Sequence, residues 1–233
     1  MKNLIFILGI LFCLNSFSAE LQSPFPSHIS GLSIPNADEV GTSSKVYRGM
    51  APRDFINELS DFGFTDVLIF KRQTRTEVDE ERQSLLDLGF NPSRIHHIPF
   101  NWKQFRSLTQ ACEQTLEALT LLVQIKNSKD RKIYFHCTMG EDRTGHLAGL
   151  YRLLTEKTNA QSIYQDELCA HGFADGNRQK PANISALVNG ELKGLFLTLA
   201  EKIEKGEITQ TKILKSSCSD LRTTYKQENF ICQ

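Results

Sequence analysis

An α/β domain whose mostly parallel sheet is flanked by helices is the fold class this sequence predicts, and three observations predict it. Short apolar runs suited to buried strands alternate with longer stretches whose apolar residues recur at helical spacing. Glycines close two of those helical stretches, while proline and polar turns separate others. A chain of 233 residues with 40% hydrophobic content fills one core well, so one domain is expected.

Taken in order, the elements begin with "MKNLIFILGILFCLNSFSAE", in which Lys2 precedes an apolar stretch from Leu4 to Leu14 and then small polar residues. Eleven apolar residues at about 1.5 Å each cover roughly half a bilayer core, so residues 1–18 are expected to be a cleaved export signal and not an anchor. Ser16 and Ser18 place the cut near Ser18 or Ala19. The expected destination is periplasmic or extracellular. Residues 19–45, rich in Ser, Pro and Gly without a sustained period, read as an extended arm.

The ordered domain is expected over 46–205. A short strand at Val46 to Arg48 leads to a helix carrying Phe55, Ile56, Leu59 and Phe62 and ending at Gly63. A strand at Val67 to Phe70 runs into a basic loop. A second helix bears Leu85, Leu86 and Leu88 and stops at Gly89. "RIHHIPF" supplies another strand, a long helix spans about Ser107 to Ile125, and "KIYFHC" is the last strand. "TGHLAGLYRLLTE" continues as a helix with Leu147, Leu150, Tyr151 and Leu154 on one face, and further helices are expected near 160–171 and 183–205. Residues 206–233 read as a polar tail.

Charge and cysteine usage narrow the function classes. The chain carries 27 basic and 27 acidic residues, and no clustered basic run suggests a nucleic-acid track. Any anionic ligand must be held by a local cluster. Loss of the leader removes Cys13 and leaves five cysteines, so at least one thiol stays free in a chain that does not pair with another. Cys137 has a reason to be that one. A bridge between Cys218 and Cys232 in the tail is possible, as is a reduced pair.

The chemistry concentrates in "HCTMGEDRTG", residues 136–145, between the last strand and a helix. In parallel sheets ligands bind beyond the carboxyl ends of strands, where such a segment lies. The peptide groups of Thr138, Met139, Gly140, Glu141, Asp142 and Arg143 can converge on one anion, with the helix N-terminus adding positive charge. Gly140 allows a backbone angle that a Cβ resists. Arg143 can donate a bidentate pair to two oxygens of that anion. The same nest stabilises a thiolate at Cys137, and Thr144 can hydrogen-bond the sulfur. Six fixed residues at this spacing arise by chance about 10⁻⁸ times per start position at average residue usage.

This segment resembles the signature of the cysteine-dependent phosphatases of the protein tyrosine phosphatase superfamily. "VYRGMAPRDFINELSDFGFTDVLIF", the basic loop, "HHIPF" and "HCTMGEDRTGHLAGLYRLL" are together similar in layout to atypical dual-specificity phosphatases of plants and fungi. The loop and the expected export also resemble the tyrosine-phosphatase-like phytases. The resemblance implies attack of Cys137 on a phosphate monoester, a phosphocysteine intermediate and its hydrolysis, with no cofactor and no metal. It also implies a general-acid Asp some thirty to forty residues before the cysteine, but no Asp lies between Asp87 and Asp130. Asp142, directly before the loop arginine as in some relatives, is the replacement, or else it positions Arg143. Glu141 stands where those relatives usually carry Lys and is expected to lower the positive potential at the mouth.

Lys71, Arg72, Arg75, Lys103 and His97 are candidates for contacts to further phosphates, with Arg106 and a Trp102 wall nearby. His96 and His97, adjacent on a strand, face opposite sides and cannot share one metal. The expected partner is a small phosphorylated substrate, inositol hexakisphosphate (phytate) foremost. A protein tyrosine or dual-specificity phosphatase and an inactive phosphate-binding module are the alternatives, with arsenate reductase and sulfur transfer further behind. No nucleic acid, no stable membrane anchor and a monomer are expected.

Overall fold

The computed structural model describes residues 23–100 and 108–233. The expected leader at 1–18 and Trp102, Lys103 and Arg106 lie outside the described residues. Five strands, β1 (Asp38–Glu39), β2 (Val46–Gly49), β3 (Asp66–Ile69), β4 (Ile95–His97) and β5 (Ile133–His136), form one sheet in the order β1-β2-β5-β3-β4. β1 runs antiparallel to β2, and every other pairing is parallel. The last strand therefore inserts between the two strands that precede it on either side, and its carboxyl end opens at the middle of the sheet edge.

Alternation along the strands divides the core in two. Val46, Leu68, Ile133 and Phe135 face α3 (Leu108–Asn127), α4 (Asp142–Thr155) and α7 (Lys193–Glu204). Tyr47, Val67, Ile69 and Tyr134 face the other way, onto Leu59 of α1 (Ile56–Asp61) and Val78 and Leu85 of α2 (Glu77–Asp87). The helical stretches end where the glycines predict, at Gly63 (φ +77°) and Gly89 (φ +85°). Leu147, Leu150, Tyr151 and Leu154 of α4 are buried as their spacing requires, whereas Leu86 of α2 is 37% exposed because the amphipathic stripe passes it by. The later helices are α5 (Ala160–Ile163), which runs on as a π-helical Tyr164–Cys169, and α6 (Ala182–Leu187), which passes through a π-helical Val188–Leu192 into α7. Gly149 lets α4 lie close to the first π segment: a Cβ there would fall 2.4 Å from Leu168 Cδ1.

Two segments read from composition behave differently in three dimensions. The segment expected as an extended arm carries β1 and buries Leu32, Ile34, Ala37 and Val40. The tail folds back over the helices: Phe230 is buried against Tyr164, and Lys193 Nζ donates to the Phe230 carbonyl at 2.8 Å. The possible Cys218–Cys232 bridge is not formed. Cys218 pairs with Cys112 on α3, and Cys232 pairs with Cys169. Each tail cysteine reaches a different helix, a choice that depends on how the tail wraps and not on sequence spacing. Among the described residues, Cys137 is the free thiol.

Candidate active site

The end of β5 delivers Cys137 into a turn whose carbonyls are committed outward. Thr138 O accepts from the Ala51 amide at 3.3 Å, and Glu141 O accepts from the Gly145 amide at 2.6 Å. Gly140 O accepts from Asn36 Nδ2 at 3.1 Å and from Arg48 Nη2. The amides of residues 138–143 donate to no protein group among the described residues. Unsatisfied amides of this kind form an anion nest. Gly140 sits at φ +70°, and a Cβ there would come within 2.4 Å of the Gly49 carbonyl carbon and 2.6 Å of Met50 N. The nest therefore packs directly on the backbone that follows β2.

Cys137 is 3% exposed, and its amide donates to Thr144 Oγ1 at 2.9 Å. Burial pushes the thiol up. That effect is outweighed by the Arg143 guanidinium and by hydrogen bonds from Thr144, so the thiol lies below its ordinary value. Arg143 Nη2 donates to Thr138 Oγ1 at 3.0 Å, which bends the guanidinium across the turn. His136 presents Nδ1 to the Cys137 carbonyl at 3.0 Å, and its Nε2 stands 2.6 Å from Glu81 Oε1 of α2.

Beneath the loop lies a paired layer of charge that the sequence pattern did not reveal. Arg48 is fully buried and forms an ion pair with Glu167 at 2.5 Å. Glu141, expected at the mouth, is instead buried: it accepts from Asn177 Nδ2 at 3.0 Å and pairs with Lys180 at 3.1 Å. Burial pushes its carboxyl up, against the opposing pull of Lys180. Its charge is thus compensated inside and does not oppose an anion at the entrance. Asp142 Oδ1 accepts from the Ala174 amide at 2.9 Å and also pairs with Lys180. One lysine, 38 residues from Asp142 in sequence, bridges both acids of the "EDR" triplet.

Of the other basic candidates, Lys71 borders a cavity shared with the loop, and Lys103 lies outside the described residues. Lys71 is buried and lies 3.9 Å from Glu77 and 4.0 Å from Glu81, turned toward α2. It does line a cavity of about 290 Å³ that Thr138 and Arg53 also border, together with Glu77, Glu80 and Glu81. An acid-rich wall of this kind does not suit a second phosphate. Arg72 and Arg75 are exposed on the loop between β3 and α2. His97 Nε2 bonds to the Lys71 carbonyl at 2.9 Å, and His96 and His97 both border a groove of about 680 Å³ on the α3 side. His96 pairs instead with Asp66, at 3.0 Å. The two adjacent histidines thus have separate partners, as strand geometry requires.

A parallel sheet that aims a buried, acidified thiol into an amide nest defines a cysteine-dependent phosphatase of the protein tyrosine phosphatase type. A family model described as the tyrosine phosphatase family matches residues 69–225, and the chain belongs to that family. It is a phosphoric monoester hydrolase. Among solved structures it is similar to the core catalytic domain of the PP-IP phosphatase SIW14 from S. cerevisiae in complex with citrate, at 18% identity, covering 66% of this chain and 84% of that one, with a TM-score of 0.47. P. aeruginosa TpbA is similar at 21% identity, covering 71% and 91%, with a TM-score of 0.46. A putative phosphatase from Shewanella putrefaciens follows at 18% identity, covering 67% and 91%, with a TM-score of 0.42. No curated protein matches the chain.

Proposed function

We propose that the chain is an exported phosphomonoesterase that works through a phosphocysteine at Cys137, with inositol polyphosphates, phytate foremost, as substrates. The observation that carries the mechanism is the buried Cys137 held by Thr144, with Arg143 bonded to Thr138 in the same turn and holding the thiol below its ordinary value. In the first step the thiolate attacks phosphorus, the P–O bond to the alcohol breaks and the leaving oxygen takes a proton. In the second, water cleaves the S–P bond and inorganic phosphate departs. Arg143 and the amides of residues 138–143 hold the charge of the transferring group in both steps, while Thr144 steadies the sulfur.

Asp142 is the proton donor in this reading. It is a carboxylate of the loop itself, directly before Arg143, and Lys180 and the Ala174 amide fix its Oδ1. Asp142→Asn should slow alkyl phosphates at least about tenfold more than aryl phosphates, because a phenol of pKa about 10 leaves with less help. Equal losses on both would remove Asp142 from that role.

Export is supported by the two disulfides together with the leader-like N-terminus. Export also separates the enzyme from most phosphotyrosine proteins of its own cell, which favours a small extracytoplasmic phosphate ester. Phosphate release from phytate, a phosphotyrosine peptide and an aryl phosphate tests the assignment. Turnover of the peptide and aryl ester alone would shift it to a protein phosphatase, and no turnover of any would leave a phosphate-binding module.

A further inference from the structure

Away from the thiol, the N-terminal segment and the turn after the first π segment bring together His28, Asp38 and His171. His28 Nδ1 lies 3.1 Å and His171 Nε2 lies 3.4 Å from Asp38 Oδ2, and the three donor atoms all lie within 4.8 Å of one another. Two imidazoles and one carboxylate are a donor set for borderline divalent metals. Ligands at about 2.0–2.1 Å from a tetrahedral zinc ion stand about 3.3 Å apart, close to the two short separations here.

Hydrogen-bond accounting identifies what the cluster lacks. Asn36 Nδ2 donates to Gly140 O and to His171 O, both at 3.1 Å, which fixes the orientation of its amide. Asn36 Oδ1, 2.8 Å from His171 Nδ1, must then accept, so the network assigns the ring proton to Nδ1. In a neutral ring the Nε2 lone pair therefore points at the Asp38 carboxylate, acceptor against acceptor. A cation between the two acceptors resolves the conflict, and the Nδ1–H bond to Asn36 is the kind of outer contact that orients a metal-bound histidine.

We propose that His28, Asp38 and His171 bind one divalent transition-metal ion of the zinc class through Nδ1, Oδ2 and Nε2, with water completing the coordination. The His28 ring is 47% exposed, so water can reach its side of the cluster. The ion ties the N-terminal segment to the turn at His171. Through Asn36 it also steadies Gly140 in the phosphate loop, so its role is structural and distinct from the thiol chemistry.

The test uses the full chain carrying Cys137→Ser, which removes the thiolate as a rival ligand, after treatment with EDTA and dialysis. Titration with zinc chloride by calorimetry should give one bound equivalent, and cobalt(II) should give the visible absorption of a low-coordinate site. His28→Ala in the same background, at a half-exposed position, should retain the metal-free Tm while binding zinc at least about tenfold more weakly. Zinc at 100 times Kd should raise Tm by about 5 °C or more in the parent and not at that concentration in the variant. Absence of saturable binding, or equal affinity in the parent, His28→Ala and Asp38→Asn, would overturn the site and leave a protonated His171 paired with Asp38.

Discussion

Residues 137–144 and residues 23–40 meet at Gly140, yet they carry very different amounts of local information. The first stretch is almost entirely fixed by chemistry: a sulfur, an amide turn, a glycine at φ +70° and an arginine within eight residues. The second has no period and no motif, but it delivers Asn36 to the Gly140 carbonyl and Ser23 to the Glu141 carboxylate. The loop carries the thiol and the guanidinium, and the arm braces it. Catalytic geometry here is therefore shared between a segment recognisable in isolation and one that acquires meaning only when folded against it.

The comparison breaks most sharply at the sulfur. Cys137→Ser should lower phosphate release by about 10⁴-fold or more while substrate still binds, because an alcohol replaces the ionised nucleophile and the nest stays intact. The pH dependence follows from the same group. Its folded-state pKa is depressed, so wild-type kcat/KM should fall as pH drops through that lowered value. The thiolate also contributes stability above the unfolded thiol value of about 8.5, lost as pH falls through the folded one. Denaturation profiles of wild type and Cys137→Ser should converge at acid pH and separate at alkaline pH.

Next in size is Lys180→Met, which strands Glu141 and Asp142 side by side. A loss of about 3–5 kcal/mol is expected, as when one partner of a buried pair is removed. Urea denaturation should show the loss, and adding Glu141→Gln should recover much of it. Gly140→Ala tests the seam itself. Its methyl would meet the backbone of Gly49 and Met50, which cannot yield as a side chain can. About 3 kcal/mol of stability should go, together with most of the activity, read by denaturation midpoint and phosphate release. The mildest change, Asn36→Ala, leaves Arg48 on the Gly140 carbonyl and should cost about 1–3 kcal/mol with a smaller fall in kcat. If Asn36→Ala lowered kcat as far as Gly140→Ala, the arm would be doing more than bracing the loop.

Legibility followed the range of the interactions. The strands β2 to β5, the helices α1 and α2 with their glycine ends, and the buried face of α4 were readable because each rests on residues a few positions apart. The same holds for Cys137, Thr144 and Arg143, which lie within one turn and the start of one helix. Glu141 was misjudged because its compensating partner, Lys180, stands 39 residues on. The tail cysteines were misjudged for a similar reason: Cys218 and Cys112 are 106 residues apart, and Cys232 and Cys169 are 63 apart. Arg48 carried a weak signal, a charge inside the apolar run "VYRG", but its partner Glu167 sits on a π-helical segment that no periodicity announces.

By itself the sequence determined the order of strands and helices, the turn at the end of the last strand and the cysteine and arginine it carries, since all of these depend on local backbone preferences and on chemistry carried by neighbouring residues. Only the tertiary structure decided that β5 inserts between β2 and β3, that Lys180 neutralises the acids behind the nest, that Asn36 and Arg48 turn the Gly140 carbonyl away from it, and that the tail is bridged to two separate helices. Those decisions rest on contacts between residues far apart in the chain, whose partners are selected by packing and burial when the elements assemble.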